Sequence, residues 1–139
     1  MTDGCIFCAI VAGTQPAEVV RENQRALAFM DINPATDGHT LVVSKAHARD
    51  LWDLEPEDGG AVWALTQEVA EAIRAGLAPD GLTLFQANAI AGWQDVFHFH
   101  LHLVPRWADD DLVKPWRPDA SRRDGIEAAA AARIRAASA

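Results

Sequence analysis

From Phe97 to Leu103 the chain alternates apolar and polar residues without a break: Phe97, Phe99, Leu101 and Leu103 are separated by His98, His100 and His102. Successive side chains of a strand point to opposite faces. The pattern therefore predicts a strand with one face against a core and three imidazoles on the other. Pro105 is expected to end it. Four shorter runs also read as strands: Glu18 to Arg21, Leu27 to Ile32, His39 to Ser44 and Leu82 to Gln86. The third is rich in β-branched residues (Thr40, Val42, Val43), which suit a pleated surface. Glu22-Asn23-Gln24-Arg25 reads as a hairpin turn, and Asn33 to Gly38 as loop. The period changes at Val62, Leu65, Val69 and Ile73, whose spacing of three and four marks the stripe of one long helix. Pro56, Glu57 and Asp58 suit its first turn, and Gly76 its end. Cys5 to Ala12 predicts one or two helical turns, stopped by Gly13 and Pro16, and alanine-rich Asp124 to Ala137 predicts a terminal helix. Strands that follow one another with few helices imply an α+β domain, an antiparallel sheet of about five strands with one long helix and short terminal helices.

At 139 residues, half of them hydrophobic, the chain suits a single domain, 1–139, with one core and no need of disulfide staples. Lys and Arg number 12 against 20 Asp and Glu, a net charge of −8. That balance excludes the basic face needed to bind nucleic acid or an anionic membrane nonspecifically. No apolar run approaches the roughly 18 residues of a membrane span, and Met1-Thr2-Asp3-Gly4 begins no basic-then-apolar leader, so the expected compartment is the cytoplasm. In a reducing compartment the only two cysteines, Cys5 and Cys8, suggest metal binding or redox chemistry rather than a disulfide framework. The five tryptophans (52, 63, 93, 107, 116) read as core or interface, Asp109-Asp110-Asp111 as a solvated loop, and Arg122-Arg123 as too short for a nucleic-acid patch.

Threonine, lysine or glutamate would serve a solvated strand face as well as histidine, so three imidazoles about 6–7 Å apart along one face mark a site. The two other histidines, His39 and His47, sit around the third strand, so all five can converge. Two chemistries fit such a row. One is a zinc site with an open water position. The other is attack by one imidazole on phosphorus, its neighbours setting tautomer and protonation. Spacing alone leaves both open.

His98-Phe99-His100-Leu101-His102-Leu103-Val104 resembles the defining motif of the histidine triad (HIT) family, His-x-His-x-His followed by hydrophobic residues. Cys5-Ile6-Phe7-Cys8, Ala28 to Pro34, and Gly38 to Val43 with Ser44-Lys45-Ala46-His47 resemble its upstream segments. Residues 5 to 106 follow the family order, leaving 107–139 as a C-terminal extension, and the nearest branch is that of small bacterial nucleotide-binding members, which are homodimers. The resemblance implies that His100 is a nucleophile toward the α-phosphorus of a nucleotide, with His102 and His39 as phosphate or proton partners. It implies Asn88 as a phosphate or leaving-group contact, Asp31 as the ribose partner, and Ile6, Phe7, Ile10, Phe29 and Ile32 as walls of the base pocket. The substrates it suggests are purine nucleoside phosphoramidates and dinucleoside polyphosphates.

Some bacterial members of the family carry a structural zinc, and Cys5, Cys8, His47 and His98 match its ligand positions. The loop before the triad departs from the family pattern. Many members have Gly-Gln and then a hydroxyl residue, whereas here the order is Gly92-Trp93-Gln94-Asp95-Val96, and Asn88 to His98 is one residue shorter. Gln94 is kept, Trp93 stands where glycine lets the backbone approach phosphate, and Asp95 stands where Ser or Thr would donate to the leaving group. Two rival functions follow from the same residues: a nucleotide-binding regulatory or adaptor protein with weak catalysis, and a zinc hydrolase with all three triad histidines as ligands.

Overall fold

A computed structural model describes residues 4–123 and 125–137. Its elements are α1 (Ile6–Ala12), β1 (Val19–Glu22), β2 (Ala26–Met30), β3 (Thr40–Ser44), α2 (Pro56–Leu77), β4 (Gly81–Phe85), β5 (His100–Arg106) and α3 (Ile126–Ala136), with short 3-10 turns at Ile90–Gly92 and Ala120–Arg122. The strands form one antiparallel sheet in the order β1-β2-β3-β5-β4. This is the expected α+β architecture.

The alternation along β2 explains the layering. Ala26 and Ala28 face α2 and pack with Val42, Phe99 and Leu103 against Val62, Leu65, Val69 and Ile73 of that helix. Leu27 and Phe29 face the other way and pack with Leu41 and Val43 against Phe7 of α1. Alanines on the helix side let α2 approach closely, while bulky residues on the other side fill the space beneath the shorter α1.

Several boundaries differ from the sequence pattern, each for a local reason. The triad strand begins at His100, not Phe97. Ahead of it, the Phe99 N–H donates to the Ala48 carbonyl at 2.7 Å, which draws the chain out of the ladder toward the loop after β3. Phe97 is consequently 41% exposed and is not part of the core. At the other end Pro105 does not stop β5. Its carbonyl accepts from Thr36 Oγ1 at 2.7 Å, on the side where β3 has already ended, so the missing N–H interrupts no ladder bond with β4. α2 runs one residue past Gly76 and is capped by Ala78 in the left-handed region, its N–H bonded to the Arg74 carbonyl. The glycine that the turn chemistry does require is Gly38: φ is +87°, and a Cβ there would collide with Leu77.

The 22–25 turn is set by Asn23, whose Oδ1 accepts from the N–H groups of Arg25 and Ala26. Four of the five tryptophans, Trp52, Trp63, Trp93 and Trp116, are exposed on the single chain, so they form no core. Asp110 is not a solvated loop residue either. It forms a two-pronged ion pair with Arg106 (2.8 Å each) and accepts from the Trp107 N–H, which holds its carboxyl well below the usual carboxylate range. α3 buries none of its side chains; Asp124, the residue at which the sequence starts this helix, lies outside the described residues, as do Met1, Thr2 and Asp3.

Candidate functional site

The register of β5 on β3 builds the site. Leu41 pairs with His102 and Val43 with His100, so both imidazoles share the α1 face of the sheet with Phe29. A cleft of about 230 Å³ opens there, lined by Ile6, Phe7 and Ile10 of α1, by Phe29, Asp31 and Ile32, and by Asp95, His100 and His102. Six residues expected to wall a base or hold a ribose thus line one cleft with the two central histidines. Ile32 is 88% exposed, so it stands at the rim.

Hydrogen bonds assign the protons in this cleft. A carbonyl cannot donate, so the 2.7 Å contact between His100 Nδ1 and the His98 carbonyl requires a proton on Nδ1. Neutral His100 therefore carries its lone pair on Nε2, which lies 3.6 Å from Asp95 Oδ1. The Ala35 N–H donates to His39 Nδ1 at 3.0 Å, so the proton of neutral His39 is on Nε2. That proton is donated to His102 Nδ1 at 2.9 Å, with Asp31 Oδ2 3.4 Å away. His102 in turn is left with its proton on Nε2. Burial lowers the pKa of His39, against the pull of Asp31. Burial, with His100 and His39 nearby, lowers that of His102 from 6.5 to about 3. Both rings are neutral at neutral pH. Aromatic contacts hold the rings in place: Phe85 stacks on His102 (centroids 3.9 Å apart, 9° between planes), and Phe7 meets His100 edge-on at 5.1 Å.

His98 belongs to a different group. Its Nε2–H donates to the Ser44 carbonyl at 2.7 Å, which leaves the Nδ1 lone pair facing inward. Nδ1 lies 3.4 Å from Cys5 Sγ, 3.5 Å from Cys8 Sγ and 3.2 Å from His47 Nδ1; Cys8 Sγ is 3.4 Å from His47 Nδ1. A tetrahedral zinc with bonds of about 2.3 Å to sulfur and 2.0 Å to nitrogen has edges of roughly 3.5 Å between S and N and 3.3 Å between two N. The four donors fit that figure, and the Ser44 bond supplies the outer partner a metal-bound imidazole normally has. The cluster ties the start of α1, where Cys5 Sγ also accepts from the Cys8 N–H, to the loop after β3 and the approach to β5. The triad rings therefore face different partners. No described metal-ligating cluster includes His100, so three triad ligands on one ion are not what this geometry offers.

Asn88 and Gln94 are placed outside the cleft lining. Asn88 Oδ1 accepts from the Leu51 N–H and its amide is paired with that of Gln86. Gln94 is buried: Oε1 accepts from the Ala89 N–H, and Nε2 donates to the carbonyls of Arg49 and Val96. Both amides brace the loop that carries Asp95. That loop is strained, with Ala89 at φ +62°, ψ +167° and Trp93 at φ +75°. The sequence comparison of Trp93 with glycine thus has a backbone counterpart, a left-handed conformation that glycine favours. The contributions of Ser44, Ala35 and Phe85 were not legible from residue types, because two act through backbone atoms and the third by stacking.

The HIT domain family model matches residues 12–109. Among curated proteins, Protein hit of Bacillus subtilis is 38% identical over 109 residues, 78% of this chain and 75% of that one. Among solved structures, a HIT family protein from Bacillus anthracis superposes with a TM-score of 0.89 at 34% identity, covering 99% of this chain and 100% of that one. A Zn-bound histidine triad family protein from Mycobacterium smegmatis is 40% identical, with a TM-score of 0.75 and coverage of 97% and 98%.

Proposed function

The chain belongs to the HIT family, and from that premise we propose that it hydrolyses or transfers nucleotides at the α-phosphorus, through a nucleotidyl-histidine formed on His100. The observation that carries the reading is the His100 Nδ1–H bond to its neighbour's carbonyl, which leaves an Nε2 lone pair in the cleft. That lone pair forms the N–P bond as the bond to the leaving group breaks, its electron pair departing with the leaving atom. Water then attacks phosphorus, the pair returns to Nε2, and a proton is released. His102, held neutral with its proton on Nε2, donates to a phosphoryl oxygen, and His39 and Asp31 fix that tautomer. Asp31 also accepts from the ribose, and the apolar α1 wall takes the base. The substrate classes are nucleoside phosphoramidates and dinucleoside polyphosphates.

Cys5, Cys8, His47 and His98 hold a structural zinc in this reading, supported by the donor distances and by the Zn-bound relative. A homodimer is the third element. β4 is an edge strand with Leu84 and Phe85 exposed, and Trp63 is exposed on α2, which together suit an isologous interface. Light scattering should give twice the 15.0 kDa of the chain. The decisive experiment is His100→Ala: turnover of an adenosine phosphoramidate falls by more than about 10²-fold while nucleoside monophosphate binding persists. Retention of more than about a hundredth of the activity removes covalent catalysis at this residue.

A further inference from the structure

We propose that Asp95 sorts substrates by the charge of their leaving group, admitting an amine on phosphorus and refusing a phosphate. The inference rests on the reading of His100 as nucleophile, and takes that site one step further, to the group that departs from it.

Asp95 stands where two spaces meet. On one side is the cleft containing His100. On the other is a more open cavity of about 460 Å³, lined also by Cys5, His47, Arg49 and Phe97. Ile6, Asp95 and Val96 line both. The carboxylate is 79% exposed, yet its Oδ1 lies 3.6 Å from His100 Nε2. Phosphorus in attacking range of Nε2 sits about 3–3.5 Å from it, and a leaving atom directed toward the Asp95 side of the cleft comes within reach of that carboxylate. Oδ1 accepts from the Val96 N–H at 2.9 Å; Oδ2 has no protein partner among the described residues and can accept from a leaving group.

The surrounding charges leave a second anion uncompensated. Among the described residues no lysine lines either cavity, and the one lining arginine, Arg49, has its Nε engaged by Asp50 at 2.9 Å. Asp31 adds another carboxylate to the cleft lining, and His39 and His102 are neutral. A polyphosphate brings its leaving phosphate against Asp95, where the one arginine lining the cavity is already paired through Nε with Asp50, and like charges at close range raise the barrier. An amine leaving group has the opposite fit, because its N–H donates to the carboxylate. In that reaction the His100 Nε2–P bond forms, the P–N bond breaks and its electron pair goes to nitrogen. The nitrogen takes one proton from solvent and leaves as the amine; the later attack of water releases one proton, so the cycle balances.

The test compares two substrates that share the same AMP moiety, an adenosine phosphoramidate of a simple primary amine and diadenosine tetraphosphate. The full-length wild type, Asp95→Asn and Asp95→Ser are assayed side by side. The expected result is a wild-type preference for the amidate in kcat/KM that falls by about tenfold or more in both variants, chiefly through a gain on the tetraphosphate. Raising salt from about 50 to about 500 mM should speed the wild type on the tetraphosphate more than it speeds Asp95→Asn, which keeps Asp31 and the net acidity of the chain but lacks this charge. An unchanged preference in both variants, with wild type turning over either substrate, overturns the charge selection and leaves the nucleophile standing. Wild type that turns over neither substrate overturns both readings.

Discussion

His100 stands between two groups of donors built from different chemistry. On one side Cys5, Cys8, His47 and His98 turn two sulfurs and two Nδ1 atoms toward a common centre, at separations of 3.2–3.5 Å. On the other, Asp31, His39 and His102 also come within metal-binding range of one another. Here, however, each proton has an assigned place: Ala35 donates to His39, and His39 to His102. A converging set of lone pairs calls for a cation, whereas a directional chain of donors and acceptors has already satisfied itself. Proximity alone therefore does not make a metal site. What the outer nitrogen of each ring is doing decides it: His98 spends its Nε2–H on the Ser44 carbonyl, which frees Nδ1 for a metal, while His102 Nδ1 is taken by His39.

The comparison breaks most visibly under chelation. Zinc bound to a site that the unfolded chain lacks contributes to folding free energy, so stripping it should lower the melting temperature by about 10 °C or more. Cys8→Ser should show the lowered temperature before chelation and little further loss after it. His39→Gln, on the other side, should keep the full chelator response. Calorimetry with and without chelator checks all three, and a wild type indifferent to chelation removes the zinc. The next effect is on turnover. His39→Leu deprives His102 of its donor at Nδ1, so kcat should fall roughly 10–100-fold, short of the loss at His100, with nucleotide affinity little changed.

How much of this was legible in the sequence follows from the same contrast. The layering of the sheet was legible because burial imposes period two on β2 and β5 and period three to four on α2. The Cys5, Cys8, His47 and His98 set was legible as residues, because histidine and cysteine are rarely used as filler, whereas the grouping of Asp31 with His39 and His102 was not, because Asp31 reads from the sequence only as a ribose partner. The histidine tautomers were not legible either, since they depend on the carbonyls of Ser44 and His98 and the amide of Ala35, which any residue supplies. Asn88 and Gln94 illustrate the converse. Their residue types suit phosphate contacts, but here they bond Leu51, Gln86, Ala89 and Arg49 and brace the loop. Phe97 was misplaced because strict alternation in sequence does not reveal where a ladder ends.

Acid should separate the two groups further. His102 has a folded pKa of about 3 against an ordinary 6.5. The unfolded chain therefore binds more protons between those values, and stability rises with pH through that window. The contribution is complete above about pH 6.5 and is lost as pH falls toward about 3. Urea denaturation of wild type and His102→Gln across this range should show a shallower pH slope in the variant. Equal slopes would mean that His102 is not buried neutral.

The smallest effect is expected in the loop between the two groups, at Ala89. Its backbone, φ +62° and ψ +167°, lies in a region that is essentially glycine's, and such residues cost of order 1–3 kcal/mol. The conformation is held by Gln94, whose N–H donates to the Ala89 carbonyl at 3.0 Å and whose Oε1 accepts from the Ala89 N–H at 2.8 Å. Ala89→Gly relieves the strain, removes one methyl group, and gives back part of the gain through the greater freedom of glycine in the unfolded chain. The balance is a stabilisation of about 1 kcal/mol, a rise of roughly 2–6 °C in melting temperature, with the Gln94 bonds intact. Turnover should change less than about twofold, because those bonds, and not the strain, set the position of Asp95. A melting temperature that falls would show that Ala89 adopts a relaxed backbone in solution, and the bracing assigned to Gln94 would lose its purpose.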